Sequence, residues 1–280
     1  MRLLPRSHQK GNGPQLQINL LGPMEVVDDG VQVRIPGEKL RSILAALALS
    51  VGRSVSRSEL IDELWGEEPP NSAENSLHGH IARLRRVLVA HGGKAALRNV
   101  IQTSPTGYVL ELTEEDVDAS RLLQLVARAE AASAHNPKGA VDLLNEAVSL
   151  WRGPALIDAG HGMICQVAYT QLEEVRLGAY ERLFDIRLRL DQPRAVIPGL
   201  EQLHARYPLH ERFCEQLITA LYLSGRQADA LNTYHRTREY LSQHLGLQPG
   251  HGLRDKFQAI LRQSPHLSIS GAGEEVIPIS

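Results

Sequence analysis

Positive charge is not in surplus in this chain. Its 30 Lys and Arg face 32 Asp and Glu, a formal net charge of −2. That excludes a uniformly basic protein that coats nucleic acid, and any phosphate contact must come from a local patch. Cysteine is nearly absent. Cys165 and Cys214 are far apart and outside any CxxC pair, which excludes a disulfide framework and a zinc ribbon and leaves two reduced, partly buried thiols. Long hydrophobic runs are missing too. The longest, 43–49, is far short of the ~18 residues a membrane span needs, and Pro5 cuts off Leu3 and Leu4 before they form a signal peptide. The expectation is a cytoplasmic protein with no membrane partner. Catalytic signatures are lacking as well: no HExxH, GxSxG, GxxxxGKS/T or GxGxxG occurs. The clusters Gly11-Asn12-Gly13 and Gly160-His161-Gly162 have no strand-to-helix context, and His78 and His80, two positions apart, do not share a helical face. A protein that is not an enzyme, with no metal and no cofactor, is expected.

What remains is an ordinary globular composition, 42% hydrophobic and 22% charged over 280 residues, with room for two domains. Residues 1–14 are polar and read as a flexible leader, and 264–280, with scattered serines, as a disordered tail. From Gln15 three β-prone segments, QLQINLLG, MEVV and VQVRI, are separated by Gly22-Pro23 and by Asp28-Asp29-Gly30, where a DG turn favours an antiparallel hairpin. Leu40, Ile43, Leu44 and Leu47 then repeat at helical spacing. A second helix starts at Ser56 with Glu59 three later, a capping-box spacing, carries Leu60, Ile61, Leu64 and Trp65 on one face, and stops at Gly66.

The stretch 71–91, NSAENSLHGHIARLRRVLVAH, gives the third helix. Leu77, Ile81, Leu84 and Leu88 form one apolar stripe, which must face a core. Asn71 with Glu74 three residues on reads as its capped start. The opposite side presents Asn75, Gly79, Ala82 and Arg86, flanked by His78 and Arg83, a face with little bulk until the arginines. Arg85 projects toward the helix edge and pairs within the protein on this reading. From Arg83 to Arg98 the chain has Arg83, Arg85, Arg86, Lys94 and Arg98 and no acidic residue, whereas Glu114, Glu115, Asp116 and Asp118 follow just beyond. VIQT and GYVLEL are two further β segments, joined by the turn Ser104-Pro105-Thr106-Gly107. Three helices, the third arginine-bearing, followed at once by a hairpin, are the layout of a winged helix-turn-helix, with a helix for the major groove and a wing beside it.

From Asp116 to about Gln263 the periodicity is helical throughout. The helical segments are 121–135, 137–150, 167–190, 193–206, 210–224 and 227–244. A shift of about 34 residues lays Leu183, Leu188, Val196, Ile197 and Leu200 over Leu217, Tyr222, Ala230, Leu231 and Tyr234, the period of a tetratricopeptide repeat. Asp191-Gln192-Pro193 and Gly225-Arg226-Gln227 become equivalent turns. The segment 151–165 breaks this period, and Trp151 reads as a packing plug. The fold class is therefore mainly α: an N-terminal winged helix-turn-helix (α+β), 15–112, followed by an all-α tetratricopeptide-like domain, 116–263.

With both halves laid out, the chain resembles the Streptomyces antibiotic regulatory proteins, small transcriptional activators of biosynthetic gene clusters. The N-terminal half resembles OmpR/PhoB-type winged helices through ELIDELWGEEPP, ENSLHGHIARLRRVL and TGYVLEL. The C-terminal half is similar to the bacterial transcriptional activator domain through LLNEAVSLWRGPAL, LEEVRLGAYERLFDI and the run from YPLHERFCEQL to HLGLQPG. The resemblance implies double-stranded promoter DNA with direct repeats as the target and two copies side by side or as a homodimer. It also implies RNA polymerase holoenzyme, including its sigma factor, as a partner. It places Asn75, Ser76, His78, Gly79, Ala82, Arg83 and Arg86 toward DNA, a face the helical wheel gives independently except for Ser76. Lys39, Arg41, Arg57 and Arg98 are candidates for phosphate contact, and Thr106 and Gly107 for the tip of the wing. Two rival readings place the main activity in the helical domain, as a protein-interaction scaffold or as a metabolite sensor.

Overall fold

The computed structural model describes residues 16–92 and 100–263. The expected leader and tail, and Arg98, lie outside the described residues. Two compact units form: one takes the chain up to Ala127 together with Glu146–Arg176, the other takes Arg128–Asn145 and the chain from Leu177 onward.

The first unit opens with β1 (Leu16–Asn19), β2 (Glu25–Asp28) and β3 (Val31–Gln32), an antiparallel sheet in sequential order. Asp29 (φ 47°) and Gly30 (φ 82°) both take left-handed backbone at the β2–β3 turn, as a DG hairpin requires. Helix α1 (Glu38–Ala48) follows, then β4 (Ser54–Ser56), α2 (Arg57–Trp65), α3 (Ala73–Gly92), β5 (Ile101–Thr103) and β6 (Gly107–Leu110). The capping box of α2 forms as its sequence demands: Glu59 N–H donates to Ser56 Oγ (3.2 Å) and Ser56 N–H to the Glu59 carboxylate (2.8 Å). Helix α3 begins at Ala73, so Ser72 rather than Asn71 precedes its first turn. Strand β4 is not visible in the sequence, because three residues are too few to show an alternation. It pairs with β6 in a sheet ordered β4-β6-β5. The core holds Ile43, Leu44, Leu47, Leu60, Leu77, Ile81, Leu84 and Leu88, all fully or almost fully buried. Each such side chain contributes about 1.5–3 kcal/mol by leaving water.

The packing of this unit continues past residue 112. Three carboxylates fasten later segments to it. Asp118, at the start of α4 (Asp118–Ala132), accepts hydrogen bonds from the amides of Leu20 (2.6 Å) and Leu21 (3.0 Å). Burial pushes its pKa up, against the pull of those amides and of Arg152. Asp158 accepts from the Met24 amide at 2.8 Å and pairs with Arg41. Glu63 of α2, 5% exposed, accepts from the amides of Ile164 (2.6 Å) and Cys165 (3.4 Å) in the first turn of α6 (Met163–Arg189). The amides of Arg152 and Leu156 also donate to the Leu21 and Leu20 carbonyls, at 2.8 and 2.9 Å. The segment that breaks the repeat period is thus part of the N-terminal unit's own packing, with the Arg176 guanidinium 4.5 Å above the ring of Trp151.

The second unit contains most of α5 (Pro137–Ser149), then α7 (Pro193–Arg206), α8 (Glu211–Leu223), α9 (Gln227–Leu245) and α10 (His251–Leu261). Helix α10 was not among the segments expected from periodicity. The repeat is visible in the backbone. Gln192 N–H donates to the Arg187 carbonyl (3.0 Å), and 34 residues on Arg226 N–H donates to the Leu221 carbonyl (2.9 Å). Asp191 (φ 56°) and Gly225 (φ 81°) supply the left-handed residue of each turn, the Schellman arrangement that closes a helix. Arg212 ties α8 to α6 by pairing with Asp185 (2.7 Å) while holding Glu215 (2.9 Å). The ring of Tyr234 stacks on Phe257 of α10 at 3.8 Å between centroids.

Candidate nucleic-acid interface

Burial divides α3 lengthwise. Leu77, Ile81, Leu84 and Leu88 are at most 1% exposed, while Asn75, His78, Gly79, Ala82, Arg83 and Arg86 are exposed and Ser76 is half-buried. A Cβ added to Gly79 would meet nothing within 4 Å, so no internal packing demands glycine there. Its effect is a low, open patch between the polar side chains. Among the described residues Arg86 makes one weak contact, Nε to the Ala82 carbonyl of its own helix at 3.4 Å, and its side chain is exposed.

Arg85 behaves differently. Its Nε donates to the Ile101 carbonyl (3.0 Å), its Nη2 to Thr103 Oγ1 (2.9 Å), and its guanidinium lies 5.9 Å from the ring of Tyr108. It therefore joins α3 to the β5–β6 wing, as its position at the helix edge suggested. The His78 ring, edge-on to Tyr108 at 6.4 Å, sits on the same wing side.

The wing turn is held at its base. Ser104 N–H donates to the Gly107 carbonyl (2.9 Å), Gly107 N–H to Ser104 Oγ (3.0 Å), and Ser104 Oγ meets Ser54 Oγ at 2.6 Å. Arg57, the first residue of α2, donates its amide to the Thr106 carbonyl and its Nη1 to the Pro105 carbonyl, both at 3.1 Å. Pro105 and Thr106 stay exposed. Gly107 does not stand at the tip: it is buried in β6, and a Cβ there would overlap the Val55 carbonyl and lie 2.7 Å from Ser56 Cα. The expectation that Gly107 enters a groove is corrected, since close approach of β4 explains the glycine.

On the other flank of α3, Lys39 Nζ lies 4.3 Å over the ring of Trp65, and the His80 ring is 6.2 Å from the same indole. Burial, then Lys39, then Arg83 lower the pKa of His80, so its ring stays neutral beside two cations. These four residues border a cleft of about 990 Å³ that also reaches Met163. Nothing in the sequence marked this cluster, because it joins three helices through side chains far apart in the chain. Arg41, expected at a phosphate, is turned inward instead. Its Nε donates to the Asp158 carbonyl (2.6 Å) and pairs with the Asp158 carboxylate (3.4 Å), and its Nη1 contacts the Ile35 carbonyl. Its partner comes from more than a hundred residues away. Among the described residues no group of three or more His, Cys, Asp or Glu is arranged to hold a metal ion.

A rigid helix with an open arginine-bearing face, braced by a wing, agrees with comparison to known proteins. Residues 35–110 match the family described as "Transcriptional regulatory protein, C terminal", and residues 117–261 match "Bacterial transcriptional activator domain". The transcriptional regulator RedD of Streptomyces coelicolor is 41% identical over 260 residues, covering 93% of this chain and 74% of RedD. The chain belongs to the Streptomyces antibiotic regulatory protein family. Like the regulatory protein DnrI of Streptomyces peucetius, 34% identical over 91% of this chain and 96% of DnrI, this family member is a DNA-binding transcriptional activator. Among solved structures, Mycobacterium tuberculosis EmbR in complex with a low-affinity phosphopeptide superposes with a TM-score of 0.83 at 35% identity. The match covers 90% of this chain and 66% of the EmbR chain, so this chain spans just under two thirds of that protein. No helix among the described residues is long and apolar enough to cross a membrane.

Proposed function

We propose that α3 enters the major groove of promoter DNA, with Arg83 and Arg86 making its strongest contacts to guanine edges or phosphates and Asn75 and His78 tuning base choice. Thr106 at the wing turn follows the adjacent minor groove, and Lys39 and Arg57 approach phosphates from the starts of α1 and α2. One observation carries this reading above the others. The face with Asn75, Gly79, Ala82 and Arg86 is exposed and open, while Arg85 next to it is consumed in bracing the wing. Family membership supports the remainder: two copies side by side on direct repeats upstream of a secondary-metabolite gene cluster, and recruitment of RNA polymerase holoenzyme through its sigma factor. The protein works in the cytoplasm and without catalysis.

A mobility-shift titration with Arg83→Ala and Arg86→Ala tests the contacts. Loss of a base-reading arginine weakens specific binding by about 1–3 kcal/mol and relaxes preference at one base pair. Loss of a phosphate contact weakens all sequences alike and lowers the salt slope by about one ion. If both variants bind promoter DNA as the parent does, α3 is not the reader. Footprinting upstream of the neighbouring biosynthetic genes tests the arrangement, and one protected site without a repeat would overturn the side-by-side reading.

A further inference from the structure

The second unit contains a feature that its repeat architecture does not require. Between α7, α8 and α9 lies a cavity of about 440 Å³, within the size range of small-molecule sites, walled on one side by Pro208, Leu217 and the ring of Tyr240. Its remaining wall, polar but for Ala205, holds Glu201, His204 and Ala205 of α7 with Thr237 and Arg236 of α9, and the Glu201 carboxylate lies 4.0 Å from the Arg226 guanidinium. The repeat itself shows that this polarity is an addition. A shift of 34 residues lays Thr237 over Leu203, and both are buried, at 2% and 8% exposure. One repeat fills the position with an ordinary core leucine, whereas the next places a hydroxyl there.

That hydroxyl fixes the state of His204. Thr237 Oγ1 donates to the Thr233 carbonyl at 3.0 Å, so its contact with His204 Nε2 at 3.2 Å has the imidazole as donor. Cys214 Sγ, 3.2 Å away, approaches the same oxygen. His204 Nδ1 is then a bare acceptor, shielded from solvent and without a hydrogen-bond partner, a state that ordinarily costs free energy in a folded protein. Burial and the nearby Arg236 lower the pKa of the ring and keep it neutral. Arg236 is exposed and forms no ion pair among the described residues, its one hydrogen bond being a 3.4 Å contact to Thr233 Oγ1. An unpaired guanidinium at the rim, a neutral imidazole with an unsatisfied acceptor and an apolar wall are gathered in one concavity.

We propose that this cavity is a binding site for a small organic acid with an apolar body. The acid group pairs with Arg236, and the body lies against Leu217, Pro208 and Tyr240, beside the imidazole of His204. The site is separate from the DNA-reading surface, and its existence does not depend on how α3 contacts DNA.

The test uses the full chain without DNA and, as probe, 1-hydroxy-2-naphthoate, with its neutral carboxamide as comparison, by isothermal titration. Saturable one-site binding is expected. The carboxamide and the Arg236→Met variant should each bind about tenfold more weakly, the loss of one charge-assisted contact. Arg238→Met, on the same helix, should bind as the parent does. Arg236 is a surface side chain, so the variant is expected to fold, and circular dichroism confirms it before titration. Failure of the naphthoate to saturate, equal affinity of acid and amide, or equal affinity of the Arg236 and Arg238 variants would overturn the proposal. None of these outcomes alters the mobility-shift results expected for Arg83 and Arg86.

Discussion

Glu63 and Gly162 meet where only hydrogen fits. A Cβ on Gly162 would overlap both the carboxyl group and the carbonyl of Glu63, while that carboxylate accepts hydrogen bonds from Ile164 and Cys165 at the start of α6. A glycine that reads in sequence as part of a stray Gly-His-Gly cluster is the point where a late segment of the chain closes onto the helix-turn-helix.

Glu63→Ala therefore leaves two amides of a partly buried helix start without acceptors, and a loss of about 1–3 kcal/mol is expected. Gly162→Ala should cost a similar amount, because overlap in a closed site is relieved only by moving backbone. Tryptophan fluorescence in a urea melt reads this unit directly, since both tryptophans, Trp65 and Trp151, belong to it. Unchanged midpoints in both variants would show that the segment is not fastened there.

Arg85→Ala should separate bracing from reading. Because Arg85 holds Ile101 and Thr103, its loss frees the wing and weakens binding to specific and unrelated DNA by a similar factor, without relaxing preference at any one base. A selective loss at one base pair would instead make Arg85 a reader. The measurement is a mobility-shift series on operators substituted one base pair at a time.

His204 gives a pH dependence of defined sign. Its pKa is lowered from the ordinary 6.5 by burial and by Arg236. Above that value both folded and unfolded chains carry a neutral ring, and the contribution is intact. As pH falls below it, the unfolded chain takes up the proton first, so stability declines until the folded ring is protonated too. The imidazole resonances of His204 should titrate below 6.5, and His204→Gln should remove this part of the acid sensitivity. Titration of His204 at or above the ordinary value would contradict the half-buried neutral ring.

Where local pattern suffices, sequence and structure agree closely. The apolar stripe of α3 needs only 3.6-residue periodicity to assign Leu77 and Ile81 inward and Asn75 and Arg86 outward. The Ser56–Glu59 box and the Asp29-Gly30 turn are likewise written in four or fewer residues, and both form as read. The 34-residue repeat was legible because each turn must be built twice, with Asp191 in one copy and Gly225 in the other. Arg41 and Gly107 were misplaced for the opposite reason: the atoms that occupy them belong to Asp158 and to β4, and no short window contains both partners.

The sequence by itself determined most of the elements, β4 and α10 apart, which face of α3 is buried, and that a winged helix precedes a helical repeat, because propensity, capping and periodicity act within a few residues. Only the tertiary structure decided which charges remain available. Arg85 and Arg41 have the same chemistry as Arg86, yet two of the three guanidiniums are satisfied by carbonyls and a carboxylate brought in from elsewhere. A charged side chain's role is set by whether an acceptor lies within about 3 Å of it, and that is a property of the fold rather than of the pattern.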